Sequence, residues 1–203
     1  MMMVVDFDSL FRTDRLMVIL RGLPIERTVE LAHLAWNAGV DHVEVPIGEP
    51  GQEQALAATV EAGRLRERVV GAGTVVSRGH VMAALAAGAG YTVAPGLDPE
   101  VVTASHNAGM PHLPGVATAT EVQHASRLGC TWVKAFPATV LGPAWFRALS
   151  GPFPGVRFVA TGGVSVDAAP DFLAAGARMV ALGSALADPA QRDRLAALVA
   201  RLR

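Results

Sequence analysis

Short apolar runs alternate with longer segments of helical periodicity along almost the whole chain. The short runs predict strands, and the longer segments, most of which stop at a glycine, predict amphipathic helices. Strands are expected at 16–20, 41–46, 69–72, 91–94, 110–113, 131–137, 157–160 and 179–182. Helices are expected at 25–38, 52–62, 78–87, 99–108, 120–128, 142–149, 166–175 and 190–202. A short helix over 6–14, with Phe7, Leu10 and Phe11 on one side, precedes the first strand.

Strict alternation of strands and helices is typical of a parallel sheet with right-handed crossovers. The pattern repeats eight times, and no linker or low-complexity segment interrupts it. These features favour a closed barrel over an open, doubly wound sheet. The sequence therefore predicts an α/β protein in which residues 1–203 form a single-domain (β/α)8 TIM barrel with a short N-terminal helix.

Composition narrows the range of partners. Hydrophobic residues make up 51% of the chain, charged residues 17%, and the formal net charge is −1. We therefore expect no binding to nucleic acid. The opening Met-Met-Met-Val-Val lacks the basic region of a signal peptide, and no apolar run reaches membrane-spanning length, so no membrane association is expected. A single cysteine, Cys130, excludes an intramolecular disulfide framework and favours the cytoplasm.

The chain has one lysine and sixteen arginines. Lys134 lies in the apolar stretch Thr-Trp-Val-Lys-Ala-Phe-Pro, where strand alternation places it on the same face as Trp132 and Phe136. A lysine can lose its proton when it is desolvated and then attack a carbonyl, whereas an arginine in a protein cannot. We expect Lys134 to be a buried nucleophile. The alternative is a lysine that extends to solvent from an edge strand.

Chemically useful residues collect where the predicted strands end, which in a barrel is the active-site face. Glu44, on the second strand, is a candidate proton shuttle for Schiff-base chemistry at Lys134, or else a structural ion-pair partner of Arg21 or Lys134. Arg21 is a candidate carboxylate ligand, with an ordinary surface arginine as the alternative. The remaining candidates at these ends are Thr74, Pro95, Phe136, Thr161, Gly162, Gly163 and Ser184.

The last two strands end in glycine-containing turns that indicate an anion site. Thr161-Gly162-Gly163 follows the seventh strand and Gly183-Ser184 the eighth, which is the usual location of a phosphate site in barrels. Tight turns explain either pair taken alone. The six histidines are scattered without a metal-ligand spacing, so neither a metal nor another cofactor is expected.

Taken together, the strand ends resemble those of the class I aldolases for 2-keto-3-deoxy-6-phosphogluconate, its galactonate epimer and 4-hydroxy-2-oxoglutarate. The matching stretches are Val18-Ile-Leu-Arg-Gly22, Val43-Glu-Val-Pro46, Gly71-Ala-Gly-Thr-Val75, Ala94-Pro-Gly96, Pro114-Gly-Val-Ala-Thr118, Val133-Lys-Ala-Phe-Pro137, Thr161-Gly-Gly-Val164 and Gly183-Ser184. They run in the family's order over nearly the whole chain. The resemblance implies a (β/α)8 barrel, a homotrimer and a phosphorylated keto-acid substrate.

The resemblance also assigns roles to the strand-end residues. It implies that Lys134 forms the Schiff base, that Glu44 is the general acid and base, and that Arg21 and Thr74 hold the pyruvate carboxylate. Phosphate would bind at Gly162, Gly163 and Ser184. The gluconate branch commonly has an arginine near Gly48, so this segment resembles the galactonate branch, whereas Thr161 resembles the gluconate branch.

The implied reaction is cleavage of the phosphorylated keto acid to pyruvate and D-glyceraldehyde 3-phosphate. Its C4 stereochemistry stays open, and 4-hydroxy-2-oxoglutarate is an alternative substrate. Two other functions are compatible with a phosphate-binding barrel: a non-covalent isomerase or epimerase, whose activity would survive Lys134→Arg, and a sugar-phosphate binding protein without turnover.

Overall fold

A computed structural model of the chain describes residues 6–183 and 188–202. The strands are β1 Leu16–Ile19, β2 His42–Pro46, β3 Val70–Gly73, β4 Tyr91–Val93, β5 His112–Leu113, β6 Gly115–Val116, β7 Trp132–Ala135, β8 Arg157–Thr161 and β9 Ala177–Leu182. All their pairings are parallel, in the order β5-β4-β3-β2-β1-β9-β8-β7-β6. This is the predicted TIM-type barrel of parallel strands and outer helices.

The fifth barrel strand differs from its prediction. Instead of one run over 110–113, it has two short segments, β5 and β6, separated by Pro114. The first segment pairs with β4 and the second with β7, so the bend at Pro114 brings the two edges of the sheet together. Across this bend, the carbonyl of Pro114 accepts a hydrogen bond of 2.8 Å from the N–H of Lys134.

The helices surround the sheet, and most of their bounds follow the sequence pattern. They are α1 Phe7–Phe11, α2 Ile25–Ala38, α3 Gln52–Arg64, α4 Arg78–Ala86, α5 Pro99–Asn107, α6 Ala119–Arg127, α7 Ala138–Ser150, α8 Ala169–Ala174 and α9 Pro189–Leu202. None of the helices in the described ranges has the length and apolarity needed to cross a membrane.

Three helices depart from the expected bounds for local reasons. Helix α1 ends at Phe11 because Arg12 takes a positive φ of 42°. Helix α7 begins four residues earlier than expected and kinks at Gly142, whose φ is 72°, just before Pro143. Helix α8 is shorter than predicted because 166–168 form a turn, in which Ser165 Oγ accepts from the N–H of Ala168 at 3.2 Å.

Apolar side chains form two layers, one between sheet and helices and one inside the barrel. The inner layer contains side chains from alternate strand positions, among them Met17, Ile19, Val93, Val159 and Met179. The intervening positions, such as Val18 and Val133, join the outer layer. This alternation determines which strand residues face the interior and therefore which can take part in chemistry there.

Helix α1 closes the N-terminal end of the barrel. Its Phe7 and Phe11 belong to the inner layer, and the ring of Phe11 packs edge-on against Tyr91 and Trp132. The indole Nε1 of Trp132 donates to Asp8 Oδ1 at 2.9 Å and ties this helix to β7. The interior is therefore sealed at this end, and access from solvent is left to the opposite face.

Candidate active site

Lys134 is buried, as the apolar strand predicted, and it faces the barrel interior. It lies on β7, paired with Gly115 on one side and Val159 on the other, and the residue is only 3% exposed. Its Nζ lies 5.4 Å from the centroid of the Phe136 ring. Trp132, on the same face, packs against α1 instead. The amine is therefore buried beside one aromatic ring at the C-terminal end of the barrel, and the edge-strand alternative is wrong.

Glu44 on β2 supplies the carboxylate that faces this amine. The residue is 1% exposed, and its Oε1 lies 3.9 Å from Lys134 Nζ. Oε1 has no hydrogen-bond partner among the described residues. The separation exceeds a direct hydrogen bond, and it is short enough for both side chains to act on the same bound molecule.

Two glycines on β3 make room for the groups around Glu44. A Cβ at Gly73 would lie 2.1 Å from Glu44 Oε1, and one at Gly71 would lie 2.0 Å from the ring of Tyr91. Tyr91 is fully buried and donates its hydroxyl to the carbonyl of Val43 at 3.2 Å. Burial, together with the charge of Glu44, raises the pKa of Tyr91 well above its usual value, so this hydroxyl stays protonated.

Arg21 and Thr74 come together at the rim of the barrel. Arg21 follows β1 and Thr74 follows β3, yet the guanidinium Nη2 donates to Thr74 Oγ1 at 3.2 Å. Thr74 has a φ of 58°, an uncommon conformation for a β-branched residue. The predicted pairing of these positions is thus geometrically sound, and Arg21 remains exposed enough to meet a ligand.

The turn after β8 has the positive φ angles that its two glycines suggested. Gly162 and Gly163 take φ values of 102° and 75°, and Thr161 is buried at 3% exposure. The N–H groups of Gly163 and Val164 donate no hydrogen bond to another described residue. Ser184, the other predicted phosphate ligand, lies outside the described residues.

Sequence reasoning missed Thr139, which braces this turn. Its N–H and its hydroxyl both donate to the carbonyl of Gly162, at 3.2 and 3.0 Å. A Cβ at Gly163 would lie 2.8 Å from Thr139 Oγ1, and one at Gly162 would lie 2.9 Å from the Phe136 ring. The Gly-Gly pair is therefore needed for close packing as well as for its backbone conformation.

Pro95 and Gly48 are two further positions at the rim of the barrel. Pro95 is exposed at the end of β4, and its carbonyl would lie 2.1 Å from a Cβ at Gly115, which explains the glycine that begins β6. A Cβ at Gly48 would lie 2.6 Å from Thr74 Cγ2. A larger residue at Gly48, such as the arginine of the gluconate branch, would therefore require Thr74 or the loop to shift.

Cys130, His112 and His42 are buried titratable groups that lie outside this site. Burial raises the pKa of the Cys130 thiol to about 11 and lowers the pKa of His112 to about 4. His42, below Glu44 on β2, bonds Asp14 at 2.7 Å through Nε2 at the closed end of the barrel. The described ranges contain no cluster of three or more side chains able to hold a metal ion.

The assembled geometry suits covalent chemistry on a carbonyl compound. A buried amine can act as a nucleophile, and the carboxylate beside it can exchange protons with a molecule attached to that amine. Cationic and hydroxyl groups of Arg21 and Thr74 lie on one side of the opening. The N–H groups of Gly163 and Val164, which donate to no other described residue, lie on another. Such a site fits an acid with a second anionic group.

Comparison with known proteins gives an independent result. A family described as KDPG and KHG aldolase matches residues 7–200. The chain is 35% identical over 190 residues to the 2-dehydro-3-deoxy-phosphogluconate aldolase of Treponema pallidum, covering 93% of this chain and 89% of the relative. It is 34% identical over 172 residues to the 2-dehydro-3-deoxy-6-phosphogalactonate aldolase of Escherichia coli, covering 84% and 83%.

Solved structures agree with this similarity. The 4-hydroxy-2-oxoglutarate/2-dehydro-3-deoxyphosphogluconate aldolase from TTHB1 superposes with a TM-score of 0.87 at 35% identity, covering 98% of this chain and all of that one. The KDPG aldolase of Legionella pneumophila, with pyruvate captured as a covalent carbinolamine, superposes with a TM-score of 0.81 at 27% identity, covering 96% and 94%.

Proposed function

Since the chain belongs to the KDPG and KHG aldolase family, we propose that it cleaves a phosphorylated 2-keto-3-deoxy sugar acid by Schiff-base chemistry at Lys134. The family is a class I aldolase group, and the enzyme is accordingly a lyase. The observation that supports the residue assignment is the burial of the chain's one lysine 3.9 Å from the carboxylate of Glu44.

Covalent attachment begins at the ketone of the substrate. The lone pair of neutral Lys134 Nζ attacks C2, and the carbonyl oxygen becomes the hydroxyl of a carbinolamine. Glu44, as an acid, protonates this hydroxyl, which leaves as water and yields an iminium ion. The positive nitrogen then serves as the electron sink for the next step, so that no free carbanion has to form.

Carbon–carbon cleavage uses the same two residues. Glu44 Oε1, now ionised, accepts the proton of the C4 hydroxyl, and the C3–C4 bonding pair moves toward the iminium to form an enamine. D-Glyceraldehyde 3-phosphate leaves as the aldehyde. A proton then adds to C3, and water hydrolyses the resulting iminium, which releases pyruvate and restores the amine.

The rim residues orient the substrate along the site. Arg21 and Thr74 bind the carboxylate, since a guanidinium and a hydroxyl donate together to an anion. Thr161, Gly162, Gly163 and Ser184 bind the phosphate. The N–H groups of Gly163 and Val164, which donate to no other described residue, support this assignment. Pro95 and Phe136 form the walls between these two anchors. With both charged ends held, the C2 ketone stays next to Lys134.

For the C4 configuration two residues point in opposite directions. Glycine at position 48, whose Cβ would lie 2.6 Å from Thr74 Cγ2, is shared with the galactonate branch, whereas Thr161 is shared with the gluconate branch. Both epimers are therefore candidate substrates. A second candidate substrate is 4-hydroxy-2-oxoglutarate, for which the solved aldolase with a TM-score of 0.87 is named. Its second carboxylate is attached to C4, whereas the phosphate ester of the sugar acid is on C6, so both substrates would use the carboxylate anchor of Arg21 and Thr74 but only the sugar acid would reach the phosphate site.

The protein is further proposed to be a homotrimer of single-barrel chains in the cytoplasm. Val76, just before α4, and Met82 and Leu85, on α4, expose 48, 60 and 42% of their surface, and subunit contacts commonly cover apolar side chains of this kind. Sedimentation equilibrium tests this proposal, because a trimer would have three times the 21.1 kDa chain mass. The expected cytoplasmic location follows from the single cysteine and a small-metabolite substrate.

A kinetic panel tests the function. Purified enzyme would be assayed with both C4 epimers and with 4-hydroxy-2-oxoglutarate, and pyruvate release would be followed. We expect the highest kcat/KM with a phosphorylated epimer and loss of that activity in Lys134→Arg. Activity that survives Lys134→Arg would instead identify a non-covalent enzyme. Faster cleavage of 4-hydroxy-2-oxoglutarate than of either epimer would refute the phosphate site.

A further inference from the structure

The catalytic carboxylate occupies the space that a side chain at position 73 would fill. A Cβ on Gly73 would lie 2.1 Å from Glu44 Oε1, 2.8 Å from its Cδ and 2.9 Å from its Cγ. Contacts under 3.0 Å are essentially never made by real Cβ atoms. The absence of a side chain on Gly73 is therefore a requirement of the observed position of Glu44.

The backbone itself does not require glycine at this position. Gly73 does not have a positive φ, and it continues β3 in parallel pairing with Pro46. Its carbonyl accepts from the N–H of Ile47 at 2.9 Å, as any residue's carbonyl would. An alanine could adopt the same conformation, so contact with Glu44 is what excludes it.

Gly71 is the neighbouring inward-facing position on β3, and a different side chain fills the space over it. Glu44 pairs with Gly71, yet its carboxylate lies over Gly73, two residues nearer the C-terminal end of the barrel. The ring of Tyr91 fills the space over Gly71. Glu44 is therefore held between Tyr91 below and the open rim above, with Lys134 Nζ at 3.9 Å.

We propose that Gly73 is a positioning residue, whose missing side chain keeps the Glu44 carboxylate within reach of the C2 and C4 hydroxyls of the substrate bound to Lys134. This inference rests on the function proposed above for Glu44. In Gly73→Ala, Oε1 must retreat from 2.1 Å to the 3.4 Å at which ordinary contact begins. Displacement of a catalytic group by about 1 Å lowers turnover roughly 100-fold, and that is the expected loss of kcat.

A double-mutant cycle separates this role from simple structural damage. Gly73→Ala is introduced into the wild type and into Glu44→Ala, and turnover, the rate of pyruvate adduct formation and the melting temperature are measured for all four proteins. In the wild type we expect the melting temperature to fall by roughly 2–10 °C, because the carboxylate has to repack. In Glu44→Ala the three atoms nearest to the new Cβ are absent, so the fall should be under about 2 °C and the rates unchanged within about twofold.

Gly71→Ala is the matched control on the same strand. Its Cβ collides with the Tyr91 ring instead of Glu44, so it should lower the melting temperature by a similar amount in both backgrounds. Gly155→Ala, at an exposed turn with nothing within 4 Å of the new Cβ, controls for loss of a glycine alone.

Two results would refute different statements. If Gly73→Ala lowers the melting temperature and the rates equally in both backgrounds, the positioning role is wrong, although Glu44 keeps its function. If Glu44→Ala itself retains turnover within tenfold of the wild type, the function proposed for Glu44 fails and the positioning role fails with it.

Discussion

Replacing Glu44 with glutamine removes the proposed base while keeping its shape. The side chain is 1% exposed and faces Lys134 across 3.9 Å. An amide can neither protonate the carbinolamine hydroxyl nor accept the C4 hydroxyl proton, so both iminium formation and cleavage of the C3–C4 bond should slow. We therefore expect Glu44→Gln to lower kcat much more than it raises KM.

The size of this loss follows from the surroundings of the carboxylate. A well-placed general base contributes about 10²–10⁴-fold to a rate. Glu44 is the only buried carboxylate among the described residues, so no neighbour can take over its function. The loss should lie in the upper half of that range, about 10³–10⁴-fold, which corresponds to roughly 4–5 kcal/mol of transition-state stabilisation.

A coupled assay of pyruvate release under saturating substrate measures kcat directly. Glu61→Gln serves as the control, because Glu61 lies on the exposed surface of α3 in an ion pair with Arg64. Circular dichroism melting confirms that both variants are folded. A kcat for Glu44→Gln within tenfold of the wild type would refute the assignment of Glu44 as base.

The remaining predictions concern stability, reactivity and binding. Phe11→Ala, at a ring with no exposed surface, should lower the free energy of unfolding in urea by about 3–5 kcal/mol; a loss under about 1 kcal/mol would contradict its packing. His42 holds the pKa of Asp14 below the ordinary 3.8, so the stability advantage of wild type over Asp14→Asn should be complete above that pH and vanish as pH falls through the lowered pKa. Acid titrations of the two proteins followed by circular dichroism check this, and a constant difference would disprove it. Cys130, whose pKa is raised to about 11, should resist iodoacetamide at pH 8 until urea unfolds the protein, as mass spectrometry would detect. Arg21→Lys should raise KM about tenfold or more in steady-state assays, because a lysine cannot make the two-bonded contact with a carboxylate; an unchanged KM would remove Arg21 from the site.

The chain order of strands and helices was predictable because local signals agree with the fold. Apolar strands, helical periodicity and stop glycines such as Gly39 and Gly129, both at positive φ, indicate the same alternation. Strand periodicity predicted that Lys134 shares a face with Trp132 and Phe136, and the apolar run predicted its burial. Its burial beside Glu44 was expected from the barrel, since carboxyl ends of parallel strands meet on one face.

Features that depend on contacts between distant segments were not predictable in the same way. The division of the fifth strand at Pro114 reflects closure of the barrel, which local propensity does not encode. The brace from Thr139 to Gly162 and the space over Gly73 arise from packing between different strands. Gly71 and Gly73 in one buried strand were nevertheless a usable signal, because glycine inside a strand often marks a close approach by another group.

Schiff-base formation on Lys134 is the central claim, and trapping the adduct tests it most directly. The native enzyme would be treated with pyruvate and borohydride, digested and mapped by mass spectrometry. Because the chain has one lysine, only the N-terminal amine competes, and Lys134→Arg reports that background. The account predicts a reduced pyruvyl adduct on the peptide containing Lys134. A folded enzyme that gives no adduct on this peptide with pyruvate in excess would contradict it.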